Sequence, residues 1–271
     1  MIKLIATDLD GTIIDAHGRC SQETVKAIKR AKEMGITYAI CSGRPLPGVL
    51  ALVDGWGLAP LADYIIGSNG GEVLEVSTGK KVQAYTLEPE LIKEICDLYE
   101  PLGAVATLYG EGRTLYVDKI TETGIAMAKR VVMDPVEADI RSMLKQPEIK
   151  EMMIVDPDNM ENIEAFCKAH PDPRYIGFKT AKDLFEFNHP LLAKDVGVRI
   201  LAAKMGICSD EIIAFGDTTN DVDMLKYVKY GIAMANGTQD AKDAAYAITD
   251  SVDEDGFAHY LNEHLINSEI R

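Results

Sequence analysis

The sequence predicts an α/β fold in which a parallel-sheet core is interrupted by an inserted α+β domain. Three observations carry this. Short apolar runs at 2–9, 36–41 and 212–215 each stop at a turn rich in Asp, Gly or Ser, and runs of that length bounded by breakers read as buried strands. The segment 21–35 between the first two has helical spacing, and strand, helix, strand in that order makes a right-handed parallel unit. The middle of the chain changes style, with β-rich runs that come in pairs at 104–109 and 114–117.

Taken in order, the first run is interrupted by Asp8 and Asp10, so it is expected to open the folded domain and not to be a signal peptide. In 21–35, Ser21 is the expected N-cap and Gly35 the stop, with Val25, Ile28, Ala31 and Met34 near one face. Asn69-Gly70-Gly71 between two apolar runs predicts a hairpin turn, and Trp56 a packing anchor. After Pro89, Leu91, Ile95, Leu98 and Tyr99 recur at helical spacing, and two more helix candidates flank a strand-like run at 152–155. Paired strands predict an antiparallel sheet with helices on one face. The inserted domain is placed at 85–185 and the discontinuous core at 1–84 and 186–271. Beyond the insertion, 196–205 is amphipathic, 222–228 helical and 231–235 a short strand candidate.

Composition narrows the partners. A net charge of −15 repels nucleic-acid backbones and anionic lipid, so neither is an expected partner. A small phosphate ester would meet the same repulsion unless the site supplied its own cations. The five cysteines are scattered, with no CxxC, which argues against a disulfide framework or structural zinc and for a reducing cytoplasm. No apolar run reaches membrane-spanning length. A monomer or weak homo-oligomer is expected.

The chemistry is expected at the strand ends. In Asp8-Leu9-Asp10-Gly11-Thr12, residues i and i+2 of a strand face the same way, at the end of a parallel strand where open α/β sheets bind ligands. Two buried like charges need a cation or a proton; the alternative is a solvated acidic turn. Ser42-Gly43-Arg44 ends the second strand, where a hydroxyl and exposed amides form an anion cradle or merely cap a helix. Lys194 precedes the amphipathic stretch, where a lone lysine is usually solvated. Gly216-Asp217-Thr218-Thr219-Asn220-Asp221 adds two carboxylates and an amide, and acidic oxygens from two strand ends suit a hard cation such as Mg²⁺.

These four segments in this order resemble the haloacid dehalogenase superfamily over the whole chain, its Cof-type sugar-phosphatase group best. The Asn69-Gly70 turn, the long insertion, Met224-Leu225 and the closing 231–256 segment fit as well. Ala235-Asn236-Gly237 and Asn188-His189-Pro190 depart from the usual pattern, away from the reaction centre. The resemblance implies a Rossmann-like core with an inserted α+β cap. It implies a Mg²⁺-dependent phosphatase acting on small phosphorylated metabolites, sugar phosphates above all, through an aspartyl-phosphate. Asp8 is then the nucleophile and Asp10 the general acid and base, kept protonated by a neighbouring carboxylate. Asp8, the Asp10 carbonyl and Asp217 are implied metal ligands, with Asp221 joining directly or through water. Leu9 (through its N–H), Ser42, Gly43, Lys194 and Asn220 are implied phosphate contacts, and Arg44 is assigned a structural role. The rival readings are a phosphomannomutase-like phosphomutase and a non-catalytic phosphometabolite sensor.

Overall fold

The computed structural model describes residues 1–266. They form two compact units, one of Met1–Val82 with the chain from Ala193 onward, the other Gln83–Leu192. In chain order the first unit contains strands β1 (Leu4–Thr7), β2 (Thr37–Cys41), β3 (Tyr64–Gly67), β4 (Glu72–Glu75) and β5 (Lys81–Gln83, which ends at the junction). The second unit holds β6 (Val105–Tyr109), β7 (Thr114–Val117), β8 (Asp134–Glu137), β9 (Lys150–Ile154), β10 (Ile176–Ala181) and β11 (Leu184–Asn188). The first unit then resumes with β12 (Ile212–Gly216), β13 (Tyr230–Met234) and β14 (Ala247–Thr249).

The first sheet is eight-stranded in the order β14-β13-β12-β1-β2-β3-β4-β5. Its strands from β14 to β3 pair in parallel. Counted along this unit, those six run 3-2-1-4-5-6 from β3 to β14, the doubly wound order, whose switch point lies between β1 and β12. Register there pairs Leu4 with Ile212 and Thr7 with Phe215. Alternate side chains supply both faces: Leu4 and Ala6 pack with Ala39, Cys41, Val198 and Leu201, and Ile5 with Ile40, Ile213, Phe215, Ala27 and Ile28. A parallel sheet covered on both faces needs this two-sided apolarity.

Local signals set the elements that frame the switch point. The helix Gln22–Glu33 is capped by Ser21, whose Oγ accepts the Thr24 N–H at 3.0 Å. It ends before Gly35 at φ +82°. Ala27, Ile28 and Ala31 are buried, but Met34 is 42% exposed; it follows the last helical turn and leaves the apolar face assigned to it. Trp56 is buried and its Nε1–H donates to the Gly18 carbonyl at 3.1 Å. Residues 68–71 turn the chain between β3 and β4, which pair antiparallel, as a hairpin there requires. Gly70 has φ +94°, and a side chain on it would collide with the Ala193 carbonyl. A side chain on Gly197 would collide with Ile66, and its position lies 3.1 Å from the Gly70 Cα. These two glycines let the helix Lys194–Met205 lie directly against the turn, which fixes where Lys194 emerges. Gly70→Ala is expected to lower the unfolding free energy by about 2–3 kcal/mol in a urea titration.

The second unit carries a six-stranded sheet, β10-β11-β9-β6-β7-β8. Its pairs are antiparallel except β7 with β8. The parallel pair needs a crossover, and the helix Glu122–Arg130 provides it. Met127 and Ala128 of that helix pack with Met152 and Ile154. The neighbouring Met153 joins Phe185, Phe187, Ile95 and Ile163 on the other face. Helices therefore cover both faces, not the one face expected. The expected boundary at 185 falls inside β11, because that strand continues to Asn188. His189 accepts the Leu191 N–H at 3.1 Å as a turn residue. Among the described residues no helix is long and apolar enough to cross a membrane.

Candidate active site

Parallel pairing of β1 with β12 brings two acidic strand ends side by side. The Asp8 N–H donates to the Phe215 carbonyl at 2.9 Å, extending the ladder one residue past the end of β1. Asp8 and Asp217 are each 6% exposed, and Asp221 is fully buried. Carboxylate oxygens of these three lie within 4.8 Å of one another. Lys194, 1% exposed, reaches between two of them: its Nζ donates to Asp8 Oδ1 and to Asp221 Oδ1, each at 2.5 Å. The solvated-lysine alternative is thereby excluded.

Asp221 has its other oxygen occupied too. Its Oδ2 accepts the Asp217 N–H at 2.9 Å and the Thr218 N–H at 3.0 Å, tying the loop after β12 into a fixed curve. Thr12 Oγ1 donates to Asp217 Oδ1 at 3.1 Å. At Gly11, φ is +87° and a side chain would drive into the Asp217 carboxylate. The Gly-Thr that follows the two aspartates is therefore what lets the first strand end close on the second.

Three buried carboxylates face one buried ammonium, leaving surplus negative charge. Burial pushes Asp8 up to about 8, with Asp221 and Asp217 adding to the rise and Lys194 opposing it. Asp217 is pushed up to about 6 by burial and by Asp221. For Lys194, burial disfavours the charge, but Asp8 and Asp221 outweigh it and hold the ammonium above its usual range. An oxygen-only donor set with excess charge fits a hard divalent cation. Cys41, beside this cluster, is fully buried, and burial raises its thiol well above the ordinary range; it is the packing residue expected.

A second group of residues converges from the turns after β2 and β3. Ser42 is 2% exposed, and its Oγ accepts the Arg44 N–H at 3.1 Å. A side chain on Gly43 would sit 2.9 Å from Asn69 Oδ1 and 3.5 Å from Asn220 Nδ2. Asn220 Nδ2 donates to Asn69 Oδ1 at 3.2 Å, while its own Oδ1 accepts from Thr218 Oγ1 at 2.7 Å. Asn69, in the left-handed region at φ 52°, thus orients the Asn220 amide. Leu9 turns its side chain into the core, and its carbonyl accepts the N–H groups of Thr12, Ile13 and Ile14.

Asp10 departs from expectation. Its side chain is 52% exposed, and its neighbouring charge is a guanidinium, not a carboxylate. Arg44 Nε donates to Asp10 Oδ2 at 2.8 Å and Arg44 Nη2 to Asp10 Oδ1 at 2.9 Å. Arg44, Thr12 and Asn69 are the site residues that sequence reasoning left outside the chemical set. Thr12 and Arg44 could have been found as the polar residues closing the DLDGT and SGR segments.

The family model of the haloacid dehalogenase-like hydrolases matches residues 5–261. The putative phosphatase YxeH of Bacillus subtilis is 30% identical over 278 residues, covering 98% of this chain and 99% of that protein. The 5-amino-6-(5-phospho-D-ribitylamino)uracil phosphatase YwtE of Bacillus subtilis is 27% identical, covering 97% of this chain and 98% of that one. Among solved structures, a haloacid dehalogenase-like hydrolase from Bacteroides thetaiotaomicron superposes with TM-score 0.87 at 24% identity, over 97% of this chain and 99% of the other. The subclass IIB sugar phosphatase BT4131 superposes with TM-score 0.76 at 21% identity, over 97% and 99%.

Proposed function

Because this chain belongs to the haloacid dehalogenase-like hydrolases and is a phosphoric monoester hydrolase, we propose that it releases phosphate from small polyhydroxylated phosphate esters, sugar phosphates first among them, with Mg²⁺ and with Asp8 as covalent nucleophile. The observation that carries this reading is the Asp8 carboxylate held by Lys194 at the switch point, beside Asp217 and Asp221. YwtE is named for a ribityl phosphate and BT4131 for sugar phosphates; both substrate names describe phosphates of polyhydroxylated chains.

Asp8, Asp217 and the Asp10 main-chain carbonyl would hold Mg²⁺. Asp221, with both oxygens committed to Lys194 and to the Asp217 and Thr218 amides, would act as support. When bound, the ion would offset the charge that keeps a phosphate dianion from a carboxylate. Lys194 would contribute to the same end while holding Asp8 in line. The Leu9 amide, Ser42, Gly43 and the Asn220 amide would receive the phosphoryl oxygens. Asp8 would take the phosphoryl group as the ester bond breaks. Asp10, whose two oxygens here accept from Arg44, would have to leave that contact and carry a proton to protonate the departing alkoxide, and would later take one from the attacking water.

The mutase alternative needs cations for a second phosphate. In the second unit, Arg113 pairs with Asp134, Arg130 with Asp183, Arg141 with Asp97, Glu100 and Asp118, and Arg174 with Glu94 and Asp172. Every arginine there is already matched to a carboxylate, which favours hydrolysis. A reducing cytoplasm and a monomer or weak homo-oligomer remain the proposed setting and state.

A panel of phosphorylated sugars and ribityl phosphates, assayed for phosphate release with Mg²⁺, tests the reading. EDTA is expected to abolish release and Mg²⁺ to restore it. Asp217→Ala is expected to raise the half-saturating Mg²⁺ concentration at least about 10-fold, whereas Ser42→Ala acts on KM and leaves it unchanged. Full activity after exhaustive chelation would overturn the metal assignment. Conversion of a hexose 1-phosphate to its 6-phosphate faster than phosphate release would restore the mutase, and no release from any ester would restore the sensor.

A further inference from the structure

We propose that the second unit carries a binding site for a polyhydroxylated chain, built on its sheet from Lys150, Glu186 and Asn188. Antiparallel register sets Asn188 opposite Lys150 and Glu186 opposite Met152, so the three side chains leave one face of two adjacent strands. Lys150 Nζ meets Glu186 Oε2 at 2.9 Å, with the side chains only 5% and 8% exposed. Asn188 is 2% exposed, and its Oδ1 finds no hydrogen-bond partner among the described residues. The apolar cluster beneath the helix Glu122–Arg130 takes in Met152, Ile154 and Leu184 from the same face but none of these three. On the next strand Ile176 stands opposite Asn188 and Phe178 opposite Glu186, which adds an aliphatic side chain and an aromatic ring to that face.

Stability does not account for this group. A buried ion pair gains little over apolar residues of similar volume, and a buried acceptor left unpaired costs the fold. Binding does account for it. The charges of Lys150 and Glu186 cancel, so the group suits a neutral ligand. It sets ammonium hydrogens, carboxylate oxygens and an unpaired amide oxygen side by side, and a hydroxyl both donates and accepts. One hydroxyl donating to Asn188 Oδ1 satisfies that acceptor, while a neighbouring hydroxyl bonds the Lys150–Glu186 pair. The C–H groups of the chain then lie against Phe178, in the mixture of apolar wall and few placed polar groups that small-molecule sites show. Two sources carry this chemistry, a free polyol and the hydroxylated part of an ester substrate; the second rests on the function proposed above.

Sorbitol, ribitol and inositol titrated onto the whole chain, with binding followed by saturation-transfer NMR, test the site. Wild type is expected to bind at least one of them saturably. Asn188→Leu is expected to weaken that binding about 10-fold or more, while the melting temperature holds or rises because the unpaired acceptor is gone. Removing one member of the ion pair strands the other charge, so the pair is tested by Lys150→Met together with Glu186→Leu, which is expected to keep the fold and abolish saturable binding. No saturable binding to wild type, unchanged affinity in both variants, or a melting temperature that falls with Asn188→Leu overturns the proposal. Phosphate release from sorbitol 6-phosphate and from acetyl phosphate, which has no hydroxyl chain, separates the two sources. With Asn188→Leu, a KM that rises for sorbitol 6-phosphate alone identifies the ester's own chain as the occupant, and a KM unchanged for both, with sorbitol binding weakened, identifies a free polyol; each upholds the site. A rise for both esters overturns it. Absence of phosphate release from wild type would sink the phosphatase reading, and direct polyol binding would still decide this one.

Discussion

Replacing Asp8 with Asn is expected to lower phosphate release by on the order of 10⁴-fold or more, while the melting temperature of the metal-free protein stays level or rises. The two expectations share one cause. As the proposed nucleophile, Asp8 has no substitute at the strand end, and an amide does not form the covalent intermediate. The same carboxylate is costly to the fold without a cation: burial pushes it up to about 8, helped by Asp221 and Asp217. Asparagine keeps the shape and can still accept from Lys194, and it removes the carboxyl whose ionisation burial opposes. Active sites commonly sacrifice stability in this way. Release assays and thermal melts on the same preparation check both halves, and a variant retaining more than about a hundredth of wild-type activity would remove Asp8 from the role.

Lys194→Met is expected to fail twice. Activity should fall about 10²- to 10³-fold, the scale of losing one preorganised electrostatic contact. Stability should fall as well, by about 3–5 kcal/mol, because Asp8 and Asp221 lose the buried ammonium they share. A side chain 1% exposed between two carboxylates is not lost without cost to the fold. Combining Lys194→Met with Asp8→Asn should return part of the lost stability, since the cluster then holds one carboxyl group fewer without its ammonium. Urea midpoints of the two single variants and the double variant measure this coupling. Additive losses would mean that the two contacts do not act as one cluster.

The parts of the site legible in the sequence are those whose partners lie within a few residues. Asp8 and Asp10 declare themselves by spacing at a strand end, and Asp217 to Asp221 do the same, with the loop then closed locally by Asp221 on the Asp217 and Thr218 amides. The Ser21 cap and the Asn69-Gly70 hairpin are local as well. What stayed hidden depends on register between distant segments. Arg44 meets Asp10 only because β1 and β2 pair with Leu4 opposite Thr37, which places the turns after them together. In the second unit the paired β runs were visible, but the parallel join of β7 to β8 was not, so the helix on the opposite face was missed. Burial of Lys194 follows from Gly70 and Gly197, whose importance is a matter of contact and not of composition.

The pairing of β1 with β12 also governs how this chain must fold. Leu4 waits for Ile212, so the central seam of the first sheet has very high contact order, and such seams form slowly. During synthesis β1, β2 and β3 emerge early, then the entire inserted unit, and only afterwards the strand that closes the seam. Until then β1 presents an apolar, unpaired edge, the kind of surface that recruits other chains. A chain stopped anywhere before residue 212 should therefore aggregate, whereas the inserted unit, Gln83–Leu192, draws its strand partners from within itself and is the piece expected to fold first.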